Sequence, residues 1–423
     1  MTNPEDTIVA ISTPPGEGGV GIVRLSGAGA LDIARRIFRS SRGRPLGGGR
    51  RPLFHGHIVA GDGAAVDEVL CLVMRAPHSY TREDVVEIHG HGGPGPLNAI
   101  LETALAGGAR LAAPGEFTLR AFLNGRIDLV QAEAVIDQIQ ARTRANLQAA
   151  NAAASGTLSR RLYAMGELIQ NLLARVEAVV DFPEDDLPDL IDARLLEEAR
   201  SAHGAMADLL AKSDAGRVLR EGATLAIAGR PNVGKSSLFN LLVRDARAIV
   251  SAHAGTTRDR IEEYITLGGV PVKLVDTAGM RQTDDEVEQM GVRIARETLQ
   301  AAQLVLLVID GAVPPEPEDE RLFRELQVLN VPIVLAVNKS DLVAAPPAPP
   351  WAAAAAHTIN LSALTGAGLD ALEDCLGQLL LGGVNIAAGE ALINRLHQKD
   401  SLRRAHACLG RFLADMSISP EFL

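Results

Sequence analysis

The octapeptide Gly229-Arg230-Pro231-Asn232-Val233-Gly234-Lys235-Ser236 fits the pattern G-x-x-x-x-G-K-[ST], and it lies between an apolar run that reads as a strand and a stretch with helical period. In that setting the backbone N–H groups of the loop, including those of Val233 and Gly234, and the helix N-terminus face phosphate oxygens. Lys235 brings a mobile positive charge to β- and γ-phosphates, the Ser236 hydroxyl can ligate Mg²⁺, and Ser237 continues the same turn. The chain has only five lysines, at 212, 235, 273, 339 and 399, so a lysine at this position is unlike a chance occurrence. Asp276-Thr277-Ala278-Gly279 closes a second strand-like run, where a carboxylate can join the Mg²⁺ shell and a glycine N–H can meet the γ-phosphate. Asn338-Lys339-Ser340-Asp341 closes a third and selects the base. Asp341 can accept from both N1–H and N2–H₂ of guanine, whereas adenine offers neither donor on that edge, so GTP is favoured over ATP. Between the first two motifs, Gly255-Thr256-Thr257-Arg258-Asp259 supplies a threonine that can reach Mg²⁺ while the γ-phosphate is present and release it afterwards. Thr257 is the choice, with Thr256 adjacent.

These groups converge only if their loops share one edge of one sheet. Residues 224–228, 261–267, 272–276, 304–309, 331–337 and 357–361 read as strands alternating with helical stretches, the pattern of a parallel sheet covered by helices. Gly268-Gly269 joins the second and third of these as an antiparallel hairpin, and the alanine- and proline-rich run 344–356 reads as a surface excursion without chemistry. Upstream, residues 8–11, 20–25, 55–59, 69–74 and 85–88 read as short strands and 28–38 and 96–106 as helices, a compact α+β domain. The stretch 42–51, with four arginines and four glycines, reads as a mobile, solvated basic loop. From Glu116 the period is helical. Leu158, Leu162, Met165, Ile169, Leu172, Val176 and Val179 fall on one seam, expected to be a helix-bundle core. The run 181–186 breaks that helix with proline and like charge; helices resume over 193–215 and again after Gly383. Helical segments on both sides of an α/β unit predict an insertion: an α+β domain over 1–118, a helical domain over 119–216 and 383–423, and a P-loop α/β domain over 217–382.

The 41 basic and 52 acidic side chains of the 423 residues leave a formal charge of −11. That balance excludes a protein whose main affinity is phosphate neutralisation over its whole surface; any nucleic acid must be held locally. Three scattered cysteines exclude a disulfide framework and a cysteine zinc site. No apolar run approaches the roughly 18 residues that span a bilayer, and the N-terminus lacks the features of a signal peptide. The expectation is a soluble, cytoplasmic protein that engages no membrane.

Together, G-R-P-N-V-G-K-S, G-T-T-R-D, D-T-A-G and N-K-S-D resemble the translation-factor-like GTPases, and Ser362-Ala363-Leu364 matches their auxiliary base loop. Outside that region, Asp6-Thr7-Ile8-Val9-Ala10, the run from Thr13-Pro14-Pro15-Gly16 to Ser26, Glu87-Ile88-His89-Gly90-His91-Gly92-Gly93, Pro114-Gly115-Glu116-Phe117-Thr118 and Arg120-Ala121-Phe122-Leu123-Asn124 resemble the MnmE, or TrmE, family of tRNA-modifying GTPases over essentially the whole chain. The resemblance implies that, with an FAD-dependent MnmG-type partner in a heterotetramer, an aminomethyl or carboxymethylaminomethyl group is installed at C5 of the tRNA wobble uridine. It implies a one-carbon unit from a 5-formyltetrahydrofolate-type folate, contacted by Arg24, Glu87 and Arg126. The family usually has lysine at the last of these positions; arginine keeps the charge and changes the donor geometry. It further implies G domains pairing across a homodimer around K⁺, with Asn232, Ser251, His253 and Thr256 at the positions that surround the ion. Ras-type GTPases place a water-orienting glutamine after D-x-x-G, where this chain has Met280; Glu288 matches the family residue that takes over that task.

The alternative is a regulatory GTPase that binds RNA or ribosomal particles without modification chemistry; the Arg24, Glu87 and Arg126 set favours the enzyme. Family members end in a C-x-G-K tetrapeptide. Cys408-Leu409-Gly410-Arg411 has a similar order but lies in a helical stretch, so the chain is expected to stop within the second part of the helical domain.

Overall fold

The computed structural model describes residues 6–47, 52–182, 192–245, 263–276, 299, 302–343, 348–387 and 389–418, in two compact units, Met1–Val135 and Ile136–Leu423. In the first, β1 (Ile8–Ile11), β2 (Gly18–Ser26), α1 (Ala30–Ile37), β3 (Phe38–Ser40), β4 (Leu53–Val59), β5 (Ala65–Met74), β6 (Val85–Gly92), α2 (Pro94–Ala106), β7 (Arg110–Leu111) and α3 (Glu116–Leu123) follow in order. The seven strands form one sheet in the order β3-β4-β5-β6-β2-β1-β7, antiparallel except for β1 beside β7. Exposed and buried residues alternate along β4, so one face turns inward and the other stays open. The inward face packs Val23, Leu25, Ile58, Cys71 and Ile88 against Leu31, Ile33 and Ile37 of α1 and Leu97 and Ile100 of α2.

At the start of α3, Glu116 and Arg120 are 4% and 3% exposed. Burying charges is unfavourable unless they are paired, and both are. Glu116 accepts from Arg110 at 2.8 Å and 3.1 Å, from the N–H of Ala113 and from Arg120 at 3.3 Å, while Arg120 also donates to Glu83. The hydrogen bonds from Arg110, with those of Ala113 and Arg120, outweigh burial and hold the Glu116 carboxyl at about 2.

α4 (Leu129–Gln140) begins before the second unit and ends within it. There follow α5 (Arg144–Ala154), α6 (Thr157–Asp181), α7 (Ala193–Ala211), α8 (Ser213–Glu221), β8 (Ala223–Ala228), α9 (Lys235–Asp245), β9 (Glu263–Leu267), β10 (Val270–Asp276), β11 (Leu304–Asp310), α10 (Pro317–Gln327), β12 (Ile333–Asn338), a 3₁₀ turn at Pro350–Ala354, β13 (His357–Asn360), α11 (Leu369–Leu380) and α12 (Leu396–Ile418). The sheet order is β13-β12-β11-β8-β10-β9. Only β9 is antiparallel, joined to β10 through Gly268 and Gly269 at φ +56° and +85°. One face packs on α9 and α11, the other on α10, Leu299 and Ala352. Central β12 is buried along its length, as a strand covered on both faces must be.

Differences from the sequence reading have local causes. The helices expected over 193–215 are α7 and α8, which meet at Lys212 and run on to Glu221. The helix expected after Gly383 begins only at Leu396; before it, Ala391, Leu392 and Ile393 are buried in a non-helical segment. The 344–356 run does contribute to packing: Trp351 lies against Phe323 of α10 with ring centroids 5.1 Å apart, and Ala352 is buried. On α6, Leu158 and Leu172 are buried and Leu162, Met165, Ile169 and Val176 half-buried; the side chain of Val179 lies outside the described residues.

Two polar junctions fasten the helices, one to each other and one to the sheet. Asp137, on α4, accepts from Arg220 at the end of α8 (3.1 Å), from Asn394 (3.2 Å) and from Arg395 (2.9 Å). Thr143 caps α5 by accepting from the N–H of Asn146 and donates to the carbonyl of Gly269 at 2.7 Å.

Candidate functional site

The parallel strands deliver their C-terminal ends to one edge, the place where ligands bind in open α/β sheets. There β8 runs into Gly229–Gly234 and α9, whose first residue is Lys235. Asn232 and Lys339 have φ of +64° and +67°, a conformation that is uncommon outside glycine and concentrates at functional loops. Asn338 is the bracket between motifs: its side-chain amide donates to the carbonyl of Val233 (2.8 Å) and its oxygen accepts from the N–H of Ala363 (2.9 Å). Both Asn338 and Ser362 are almost fully buried. Ser362 Oγ donates to Asp341 Oδ1 at 2.6 Å, which orients that exposed carboxylate. The Lys235 ammonium is mostly buried and donates to the carbonyl of Arg230 at 2.8 Å, folded over the loop it would share with phosphates. The hydroxyl-bearing Ser236 and Ser237, and Asn232, are exposed.

Sequence reading missed the groups that steady this loop. Arg230 is clamped by two carboxylates from α10 and its cap, Asp319 Oδ1 at 2.7 Å and Glu316 Oε2 at 2.6 Å. Asp319 above all, with Glu316, raises the Arg230 guanidinium far above its ordinary value. Asp319 also accepts from the N–H of Glu316 in a capping box. Beside this clamp, Lys339 Nζ meets Asp310 Oδ2 at 2.5 Å. Burial opposes ionisation of Asp310, yet the bonds from Lys339 and the Ala312 N–H hold its carboxyl below the usual range.

Asp276 ends β10 opposite Ile227 of β8, which puts the backbone of this one residue of D-T-A-G beside the P-loop strand; its side chain lies outside the described residues. Ser251, His253, Thr256, Thr257, Thr277, Ala278, Gly279, Met280 and Glu288 also lie outside them. Among the described residues no group of three or more His, Cys, Asp or Glu side chains could hold a metal ion.

A second cluster occupies the first unit. Arg24 on β2 and Glu87 on β6 are direct cross-strand partners, and the guanidinium meets Glu87 Oε1 at 2.7 Å and 2.8 Å. Arg24 lies 5.6 Å from the ring centres of both Tyr80 and Phe117, and Arg126 lies 4.7 Å from Tyr80. Thus Arg24 and Arg126 share one tyrosine, and Glu87 joins them through Arg24. Glu87 Oε2 approaches His89 Nε2 at 3.4 Å. Neither Tyr80 nor Phe117 was assigned a role from sequence; the signal was their rarity, since the chain has three tyrosines and nine phenylalanines.

The family model described as the N-terminus of the GTP-binding protein TrmE matches residues 7–126, and the MnmE helical domain model matches 129–422. The curated tRNA modification GTPase MnmE of Chloroflexus aurantiacus is 49% identical over 95% of this chain and 87% of its own length. The proteins of the same name from Heliobacterium modesticaldum and Symbiobacterium thermophilum are 45% and 48% identical, over 99% and 95% of this chain and 92% and 88% of theirs.

Proposed function

The chain belongs to the MnmE family, and from that membership we propose that it is a GTP-hydrolysing enzyme of tRNA modification. The observation that carries the GTPase reading is the pair of hydrogen bonds of Asn338, which locks the phosphate loop and the base-reading loops into one frame. GTP sits with its phosphates against 229–236 and its base against Asp341, Ser362 and Ala363. Mg²⁺ would be held by Ser236 and Thr257, with Asp276 joining its shell. Asn232, with Ser251, His253 and Thr256, surrounds K⁺ in a homodimer of G domains, and Glu288 orients the attacking water. The exposed, left-handed Asn232 fits this role: its amide oxygen is a hard donor suited to an alkali cation. Catalysis is then positioning and charge stabilisation rather than covalent chemistry.

The Arg24, Glu87 and Arg126 cluster is the folate site. Its donor set fits a flat heteroaromatic bearing carboxylates: Tyr80 and Phe117 supply faces, guanidiniums pair with carboxylates, and Glu87 accepts ring N–H groups. When bound, the folate supplies the one-carbon unit for C5 of the wobble uridine, in a heterotetramer with an FAD-dependent partner. The residues of this chain hold and orient it. Among the described residues no helix is long and apolar enough to cross a membrane.

Two measurements on the full chain test the proposal. GTP hydrolysis is compared in K⁺ and Na⁺ for the wild type and Asn232→Ala; equal K⁺ stimulation of the variant removes Asn232 from the ion site. Transfer of a labelled folate carbon to tRNA is followed with the partner present. Incorporation that persists undiminished in Arg24→Ala and Glu87→Ala refutes the folate site.

A further inference from the structure

From Ile33 to Gly61 the chain carries seven arginines and two histidines without one aspartate or glutamate, in a protein of formal charge −11. The described part of this run forms the end of α1, the edge strand β3, the start of the loop that follows and β4, where His55 is paired with Glu68 at 2.8 Å. Arg35, Arg36, Arg39, Arg42 and Arg44 are all exposed. Of these five, among the described residues, Arg35 alone is paired with a carboxylate, Asp32 at 3.2 Å. Arg36 donates to the carbonyl of Gly107 (2.6 Å), and Arg39 to those of Arg36 (2.8 Å) and Phe38 (3.1 Å). Carbonyl contacts fix a guanidinium without cancelling its charge, so these cations are pre-positioned for an anion. Arg35 also donates to the carbonyl of Leu46 (3.0 Å); with the Leu46 side chain buried, the loop bearing Arg42 and Arg44 is held back toward the helix end.

Cations at a helix C-terminus complement its dipole, which accounts for Arg35 and Arg36. The last carbonyls of α1 account for Arg39 as well, since it donates to those of Arg35 and Arg36; the helix end does not account for Arg42 and Arg44, nor for the exposed His57, which lies between Arg39 of β3 and Glu68 of β5. We propose that this strip is the surface on which the protein holds the phosphate backbone of its tRNA; the inference rests on the tRNA-modification reading above. An acidic protein that binds RNA must concentrate its positive charge locally, and this run does so. Phosphate contacts position rather than specify, so the strip serves tRNAs of different sequence equally.

The test measures binding of a tRNA transcript to the full chain between 50 and 200 mM salt, values that span the steep range of counterion release. The triple variant Arg36→Ala, Arg39→Ala, Arg42→Ala is expected to bind at least about tenfold more weakly at low salt. Its plot of log affinity against log salt should be shallower by about 2 to 3. GTPase rate and melting temperature stay as in the wild type, and the corresponding triple lysine variant retains binding. Wild-type affinity and slope in the alanine variant overturn the proposal. So does unchanged tRNA binding with weakened binding of the FAD-dependent partner, which would assign the strip to a protein. Label transfer to tRNA in the reconstituted system reports on the modification reading separately: if transfer proceeds while the alanine variant binds as the wild type does, only the strip is refuted.

Discussion

Asp319→Ala isolates the clamp on the phosphate loop. Two carboxylates touch Arg230 at nearly the same distance, 2.7 Å and 2.6 Å, but Asp319 is 2% exposed and Glu316 is 53% exposed. Distance alone predicts equal losses; burial predicts unequal ones. Removing Asp319 deletes a hydrogen bond to a charged group, about 1.5–3 kcal/mol, and the side-chain half of a capping box, about 1 kcal/mol. Retention of Glu316 offsets part of this, leaving about 3 kcal/mol. Glu316→Ala removes a solvent-screened partner, under about 1 kcal/mol, and the N-cap half of the same capping box, about 1 kcal/mol, so it should cost about 1–2 kcal/mol. Asp319→Asn keeps an acceptor for the cap and falls between. At about 2–4 °C per kcal/mol for a unit of this size, the Asp319→Ala transition shifts down by about 6–12 °C. The assay is intrinsic fluorescence of the full chain, because its one tryptophan, Trp351, packs on Phe323 of the same helix that bears Asp319. A shift under about 3 °C for Asp319→Ala, or an equal shift for Glu316→Ala, refutes the reasoning.

Glu116 ionises at about 2 when folded against 4.5 when free, so its contribution is complete above pH 4.5 and disappears as pH falls toward 2. At 1.36 kcal/mol per unit that is about 3 kcal/mol; acid unfolding of the first unit, followed by circular dichroism, should lose this slope in Glu116→Gln, and an unchanged slope contradicts the assignment. Asp341→Asn presents an amide donor where guanine has its own, and should weaken GTP by at least about 100-fold while favouring xanthosine triphosphate; a variant that still prefers GTP in competition binding removes Asp341 from the base site. A β-carbon on Gly377 of α11 would lie 2.9 Å from the Cα of Gly268, so Gly377→Ala should destabilise by about 1–2 kcal/mol despite alanine's helix propensity. Gly204 of α7 has nothing within 4 Å of such a carbon, and Gly204→Ala should stabilise by about 0.5–1 kcal/mol; melting curves that rank the two the other way contradict the packing.

The nucleotide loops were legible in the sequence because each is short, local and set at the end of a strand whose apolar run is itself legible. The expected strand over 8–11 coincides with β1, and the Gly268-Gly269 turn joins β9 to β10 as its glycines dictate. What escaped was non-local. Strands β3 and β7, three and two residues long, have too few residues for an alternation and exist because a neighbour pairs with them. Asp319 sits in an acidic run, Glu316 to Glu320, that reads as a solvated helix start; its partner Arg230 is 89 positions away. Tyr80 and Phe117 escaped for the same reason, since only the fold of the first unit brings a loop residue and a residue of α3 to Arg24.

The three bonds of Asp137 bear on how such a chain accommodates a guest. Arg220 precedes β8 and Asn394 follows α11, and a bond from Arg220 to the Asn394 carbonyl joins positions 174 residues apart, beside the carboxylate that both share. The two crossings of the chain are therefore fastened to each other before anything is asked of what lies between them. Once the ends of a loop are fixed, doubling its length adds only about 0.6 kcal/mol of closure entropy. The clasp thus fixes where the segment between the two crossings begins and ends whatever its length, while what may stand there is limited by the other contacts, the Thr143 bond to Gly269 and the packing of Leu392 on the sheet core.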